Sequence, residues 1–135
     1  MSNDNGATAT TPGVKRVQAG EFSFELAKVN HILGGPDYST AIGAAIEGDR
    51  MMVALMRMPA GTGAEPHSHP NEQWIYILEG CFNAVVGGKA IAAPAGTILY
   101  IPSNTVHEGK ASDEGDVLFF TVKDTSHGLF GIKAS

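Results

Sequence analysis

Two histidines one residue apart, His67 and His69, sit in the segment EPHSHPNEQWIYILEG, from Glu65 to Gly80. Imidazole nitrogens are good ligands for transition ions. Side chains alternate faces along an extended chain, so the two rings point the same way. Pro66 and Pro70 flank the pair and favour extended backbone around it. A third imidazole is available at His107, in IPSNTVHEG, beyond further strand-like segments. Three imidazoles converging from two strands make a site for Zn, Mn, Fe, Ni or Cu. The next ligand is Glu72 or Gln73. Continued alternation puts Gln73 on the histidine face, beside Ile75 and Ile77, and Glu72 on the opposite one. The choice sets the chemistry, because a carboxylate offsets metal charge and an amide does not.

The elements that must position these residues are strands. Seventeen glycines and seven prolines break the 135 residues into short segments, a spacing that suggests an all-β sandwich or barrel. EFSFELAKV alternates Phe22, Phe24 and Leu26 against Ser23, Glu25 and Ala27, as a half-buried strand does. Further runs of strand length are 51–58, 73–78, 81–86, 89–93, 97–102 and 116–122. Glu79-Gly80, Gly87-Gly88 and Pro94-Ala95-Gly96 have hairpin chemistry. STAIGAAIEG (39–48) is a weak candidate for a short helix. Residues 1–13 are small and polar and read as a flexible tail. Residues 14–135 read as a single domain, long enough to bury a real core.

These segments resemble the cupin superfamily. Its first motif, G-x5-H-x-H-x3or4-E-x6-G, is matched by Gly61, His67, His69 and Gly80, with Gln73 at the glutamate position. Its second motif, G-x5-P-x-G-x2-H-x3-N, is matched by Gly96, Pro102 and His107. Asn104 replaces the glycine there, which is tolerable because Asn visits the left-handed region more readily than most residues. Ala111 replaces the terminal asparagine. The resemblance spans roughly residues 50–123. It implies a cupin double-stranded β-helix, a small jelly-roll barrel of two antiparallel sheets with a metal inside. The implied ligands are His67, His69, Gln73 and His107, holding one divalent transition metal per chain, whether Mn, Fe, Ni, Zn or Cu. It also implies a homodimer.

Three imidazoles and one amide are all neutral, so a divalent ion would keep its full charge. That favours anionic or enolisable small-molecule substrates. Such a site suits a keto, enol or hydroxy-acid oxygen pair and Lewis-acid stabilisation of an oxyanion, in an isomerase, lyase or cyclase. The set resembles that of pectin-degradation cupins and cupin hydroxynitrile lyases. Three-histidine Fe(II) cupin dioxygenases share a similar set, and a non-catalytic ligand-binding cupin is a further alternative. No catalytic base is identified. His31 and His127 are candidates to cap the barrel mouth, and both read more simply as solvated or structural. Tyr76 has the parity of the outer face, and Tyr100 and Arg57 read as packing and surface residues. Met52, Ala54, Met56 and Met58 share one face and read as core, with an adaptable pocket lining as the alternative.

Other function classes are disfavoured. The net charge is −5 and no Lys/Arg cluster exists, so nucleic-acid binding through a basic patch is not expected. No apolar run approaches the roughly 20 residues that span a bilayer. The N-terminus lacks a charged region followed by an apolar one, and the single cysteine, Cys81, excludes an intrachain disulfide framework. A cytoplasmic protein is the expectation.

Overall fold

The computed structural model describes residues 8–134. Among these residues twelve strands form two sheets. They are β1 (Lys15–Arg16), β2 (Ile32–Leu33), β3 (Ile42–Glu47), β4 (Met51–Met58), β5 (Gly63–Ser68), β6 (Gln73–Glu79), β7 (Cys81–Val86), β8 (Lys89–Pro94), β9 (Ile98–Ile101), β10 (His107–Ala111), β11 (Val117–Asp124) and β12 (Ile132–Lys133). One sheet runs β1-β3-β4-β11-β6-β9, with β2 paired to β3, and the other runs β12-β5-β10-β7-β8. All pairings are antiparallel except β1 with β3. This is the expected cupin jelly roll, with that one parallel pair as an exception. Among the described residues no helix is long and apolar enough to cross a membrane.

Alternation builds the core. In β4 the even-numbered Met52, Ala54, Met56 and Met58 are buried; in β6 Gln73, Ile75 and Ile77 are. These faces meet Phe82, Ala84, Ala93, Ala111 and Val117 in one cluster. Burying a large apolar side chain contributes roughly 1.5–3 kcal/mol. A one-residue slip would turn Gln73 out of the barrel and Trp74 into it, so the core also fixes the site's register.

Between β4 and β11 the chain mostly crosses from sheet to sheet. Only Gly87-Gly88 closes a hairpin, joining Val86 to Lys89. Glu79-Gly80 and Ala95-Gly96, read as hairpin turns, instead carry the chain between sheets. At Gly80 the need for glycine is doubled. Its φ is +82°, and a Cβ there would sit 2.2 Å from the Asp116 carbonyl oxygen. Asn104 is the one non-glycine residue with positive φ among those described, at +60°, as its place in the second motif suggested.

Two sequence expectations are corrected. EFSFELAKV forms no strand; it holds a 3-10 turn over Leu26–Lys28, and Phe22 is 93% exposed. Its alternation finds no sheet edge to pair with. STAIGAAIEG is strand β3, not helix. Gly43 lies so close to β4 that a Cβ would meet the Leu55 carbonyl oxygen at 2.0 Å, and this tertiary pairing decides the conformation.

Residues 1–7 of the expected tail lie outside the described residues. The rest of it, from residue 8, is tied down at two points. The Thr10 N–H and hydroxyl donate to the fully buried Glu47 carboxylate, which also pairs with Arg16 at 3.0 Å. Thr11 is buried, and its hydroxyl oxygen accepts the Leu129 N–H at 2.7 Å. A buried carboxylate needs such donors, and this segment supplies them.

Candidate metal centre

The three histidines come together on one sheet. His67 lies near the end of β5, His69 one residue beyond it, and His107 opens β10 opposite His67. All three are buried, and one ring nitrogen of each lies within 4.8 Å of the others. Each Nδ1–H donates to a main-chain carbonyl two residues away: His67 to Glu65 (2.7 Å), His69 to Asn71 (2.7 Å) and His107 to Thr105 (2.8 Å). These bonds fix the tautomer and turn each Nε2 lone pair inward.

Gln73 reaches the cluster from the other sheet. The chain leaves β5 at Ser68 and re-enters a strand at Gln73, so no continuous strand links His69 to Gln73. Strand alternation therefore does not run from His69 to Gln73, and Gln73 faces the cluster on other grounds. Gln73 is inward because it is the first buried position of β6. Glu72 is exposed, and its carboxylate accepts the Tyr100 hydroxyl at 2.9 Å.

Thr121 on β11 fixes which end of the Gln73 amide faces the histidines. The Thr121 hydroxyl donates to the Trp74 carbonyl (2.8 Å), so its oxygen must accept, and it takes the Gln73 Nε2–H (2.8 Å). Gln73 Oε1 then points at His69 Nε2, 3.0 Å away. With His69 Nδ1–H given to Asn71, both facing atoms carry lone pairs. The other tautomer only moves that clash to the Asn71 carbonyl. An imidazolium would satisfy both contacts, but burial pushes the His69 pKa down to about 4, helped by Lys123.

The other rings are held neutral as well. Burial, then His107, pushes His67 down to about 3; burial also lowers His107, helped by Lys123. His107 Nε2 is buried and has no hydrogen-bond partner. Buried acceptors facing one another without donors are costly, and a shared cation resolves them. The residues present fit a metal.

The cluster opens on a cavity of about 70 Å³ with largely apolar walls, including Met56, Met58, Phe82, Phe119 and Leu129. Met56 and Met58 thus serve both as core and as pocket lining. On that measure a water needs roughly 10–15 Å³, so the space holds about five waters or a small organic molecule. Tyr38 stacks on His67, with ring centroids 4.1 Å apart, and its phenol oxygen accepts the Gly131 N–H at 2.7 Å. Burial raises its pKa and keeps the phenol neutral. Gly131 packs beside both rings, where a Cβ would meet the Tyr38 hydroxyl at 3.0 Å and His67 Cδ2 at 3.1 Å.

Sequence reasoning missed Thr121, Lys123, Tyr38 and Asn71. A signal existed for two of them: extending the alternation of VLFFTVKD puts Thr121 and Lys123 on the core-facing side with Phe119. Asn71 is fully buried and donates to the carbonyls of Asp124, His127 and Gly128, anchoring the C-terminal segment beside His69. His31, His127, Tyr76, Tyr100 and Arg57 do not line the cavity.

The family model described as the Cupin domain matches residues 54–123, just over half the chain. The chain belongs to the cupin family. Solved structures agree. A cupin protein from Bacteroides fragilis is 27% identical with a TM-score of 0.53, over 56% of this chain and 66% of that one. This chain thus spans just under two thirds of that relative. A predicted oxalate decarboxylase from Thermotoga maritima is 26% identical, TM-score 0.51, over 54% and 64%. The polyketide cyclase RemF from Streptomyces resistomycificus is 20% identical, TM-score 0.65, over 77% and 79%, a likeness of fold alone. No functionally curated protein matches this cupin.

Proposed function

We propose that this cupin holds one divalent transition ion per chain on His67, His69, Gln73 and His107. We further propose that it is an isomerase, lyase or cyclase for a small keto, enol or hydroxy-acid molecule. The observation that carries this is the buried convergence of lone pairs on His69, Gln73 and His107. Bound by four neutral ligands, the ion would keep its full charge and act as a Lewis acid toward an oxyanion. The protein's own residues do the rest. Main-chain carbonyls hold the three rings in place, Thr121 aims the Gln73 oxygen, and the apolar walls exclude water.

Metal analysis of purified protein tests the first part, with about one divalent ion per chain expected. A metal-free preparation that takes up none of Mn, Fe, Ni or Zn would overturn it. A screen of diketones, unsaturated uronates and hydroxy acids, with and without air, tests the second. Turnover without oxygen is expected. Fe(II)-dependent oxygen uptake would replace this reading with a dioxygenase, and binding without turnover with a non-catalytic cupin.

A second copy of the chain is proposed on the outer face of the larger sheet. Trp74, Tyr76, Leu78, Ile98 and Tyr100 lie there on the adjacent strands β6 and β9, each 41–57% exposed. Contiguous apolar surface of this kind marks interaction sites. Tyr76→Glu is expected to convert a dimer to a monomer in light scattering; a wild-type monomer would refute the proposal.

A further inference from the structure

Lys123 is the one cation that lines the cavity, and the metal-centre reading gives it no role. It sits on β11 opposite Gln73 and is 5% exposed. Strand alternation puts it in line with Val117, Phe119 and Thr121, at a position an apolar residue could fill at no electrostatic cost. A buried ammonium is costly unless it is paired and hydrogen-bonded. Among the described residues no carboxylate lies within ion-pair distance of it. Its hydrogen bond to protein goes to the Leu129 carbonyl, at 2.6 Å. An ammonium has three donors, so this contact leaves capacity unused.

The surroundings add no negative charge. Imidazole, amide and alcohol side chains (His67, His69, His107, Gln73 and Thr121) carry no negative charge, and the buried Tyr38 hydroxyl is hydrogen-bonded to the Gly131 N–H. Glu108, the one carboxylate residue lining the cavity, is exposed. A divalent ion at the histidines would add further positive charge. The cavity is therefore a small apolar space holding a buried positive charge with no anion of the protein paired to it.

We propose that Lys123 is an anion anchor, whose ammonium binds the carboxylate of a small oxo or hydroxy acid while the neighbouring oxygen lies at the three-histidine cluster. This rests on the metal-centre reading and narrows its substrate class from oxygenated molecules in general to carboxylates. The cavity, with room for about five waters, limits what enters fully to a short-chain acid or the reactive end of a longer one. The anion and the ammonium stabilise one another, so the lysine's burial without a protein partner is explained by the ligand. The bond to Leu129 holds the side chain ready and ties the C-terminal segment over the site.

The test uses two probes of equal size, pyruvate and butane-2,3-dione, titrated calorimetrically into Zn-loaded protein. Each offers adjacent oxygens, and only pyruvate carries a carboxylate. The zinc ion itself favours the anion, so the informative quantity is the change in preference on removing the lysine charge. Lys123→Met is expected to lower the pyruvate-to-butanedione affinity ratio at least about tenfold, the size of a charged hydrogen bond. Lys123→Gln, which keeps an N–H donor, is expected to do the same. Zinc binding should persist in both. An unchanged ratio in a variant that still binds zinc would overturn the lysine proposal alone. If neither variant folds, metal-free wild type decides: without zinc the lysine is the one cation lining the cavity, so tighter binding of pyruvate than of butanedione is expected and equal affinity overturns the anchor. Wild-type protein that binds no zinc or other transition ion would overturn the metal centre instead. A purely structural lysine would lower thermal stability and leave the ratio where it was.

Discussion

The cavity has two walls, and they are made rigid in different ways. On the β5–β10 wall each imidazole is held by a carbonyl two residues away in the chain. On the β6–β11 wall Gln73 is aimed by Thr121, 48 residues on, and Thr121 by the Trp74 carbonyl. The first wall carries its support within its own motifs. The second has its support only once two distant strands pair. Locally held ligands should therefore tolerate damage elsewhere, whereas Gln73 depends on a neighbour that shares no motif with it.

Breaking the first wall should have the largest effect. His107→Ala removes a ligand and is expected to abolish metal binding, read by calorimetry as a loss of more than about 100-fold, beyond the usual cost of losing only a supporting partner. Breaking the second wall through its support should cost less. Thr121→Val removes the acceptor for Gln73 and frees the amide to rotate. Metal affinity is expected to fall about 10–100-fold, with the three histidines untouched. An unchanged affinity would show that Gln73 needs no aiming.

Acid distinguishes the walls without mutation. The folded protein holds His67 at about 3 and His69 at about 4, both below the ordinary value of 6.5. Between those values the unfolded chain binds more protons than the folded one, so stability falls as pH falls. The stability is fully present above 6.5 and is lost progressively toward 3. The Tm of metal-free protein is expected to drop through that window, and His67→Gln should flatten the drop. The smallest effect belongs to Glu72, the residue beside Gln73 that faces solvent. Glu72→Ala is expected to leave metal affinity unchanged and to shift stability by under about 0.5 kcal/mol in denaturant unfolding.

The sequence was legible where the chemistry is local. The alternation in 51–58 and 73–78 was enough to place β4 and β6. The His67, His69 and His107 spacings were enough to identify the imidazoles. It was misleading where alternation lacked a partner, as at Phe22, and where a glycine needed a neighbouring strand to explain it, as at Gly43. The choice of Gln73 over Glu72 shows both sides. Motif spacing selected it, while the strand that was supposed to link it to His69 does not exist.

What the sequence determined by itself is the histidine cluster and the β architecture, because both are written in short-range spacing and in periods of two. What only the tertiary structure decided is the wall opposite the histidines. Thr121 and Lys123 are unremarkable residues at the end of an apolar run. Their roles arise because β11 lies between β4 and β6 and turns that face into the barrel. No local signal encodes which distant strand will sit alongside, since that pairing is set by how the whole core closes.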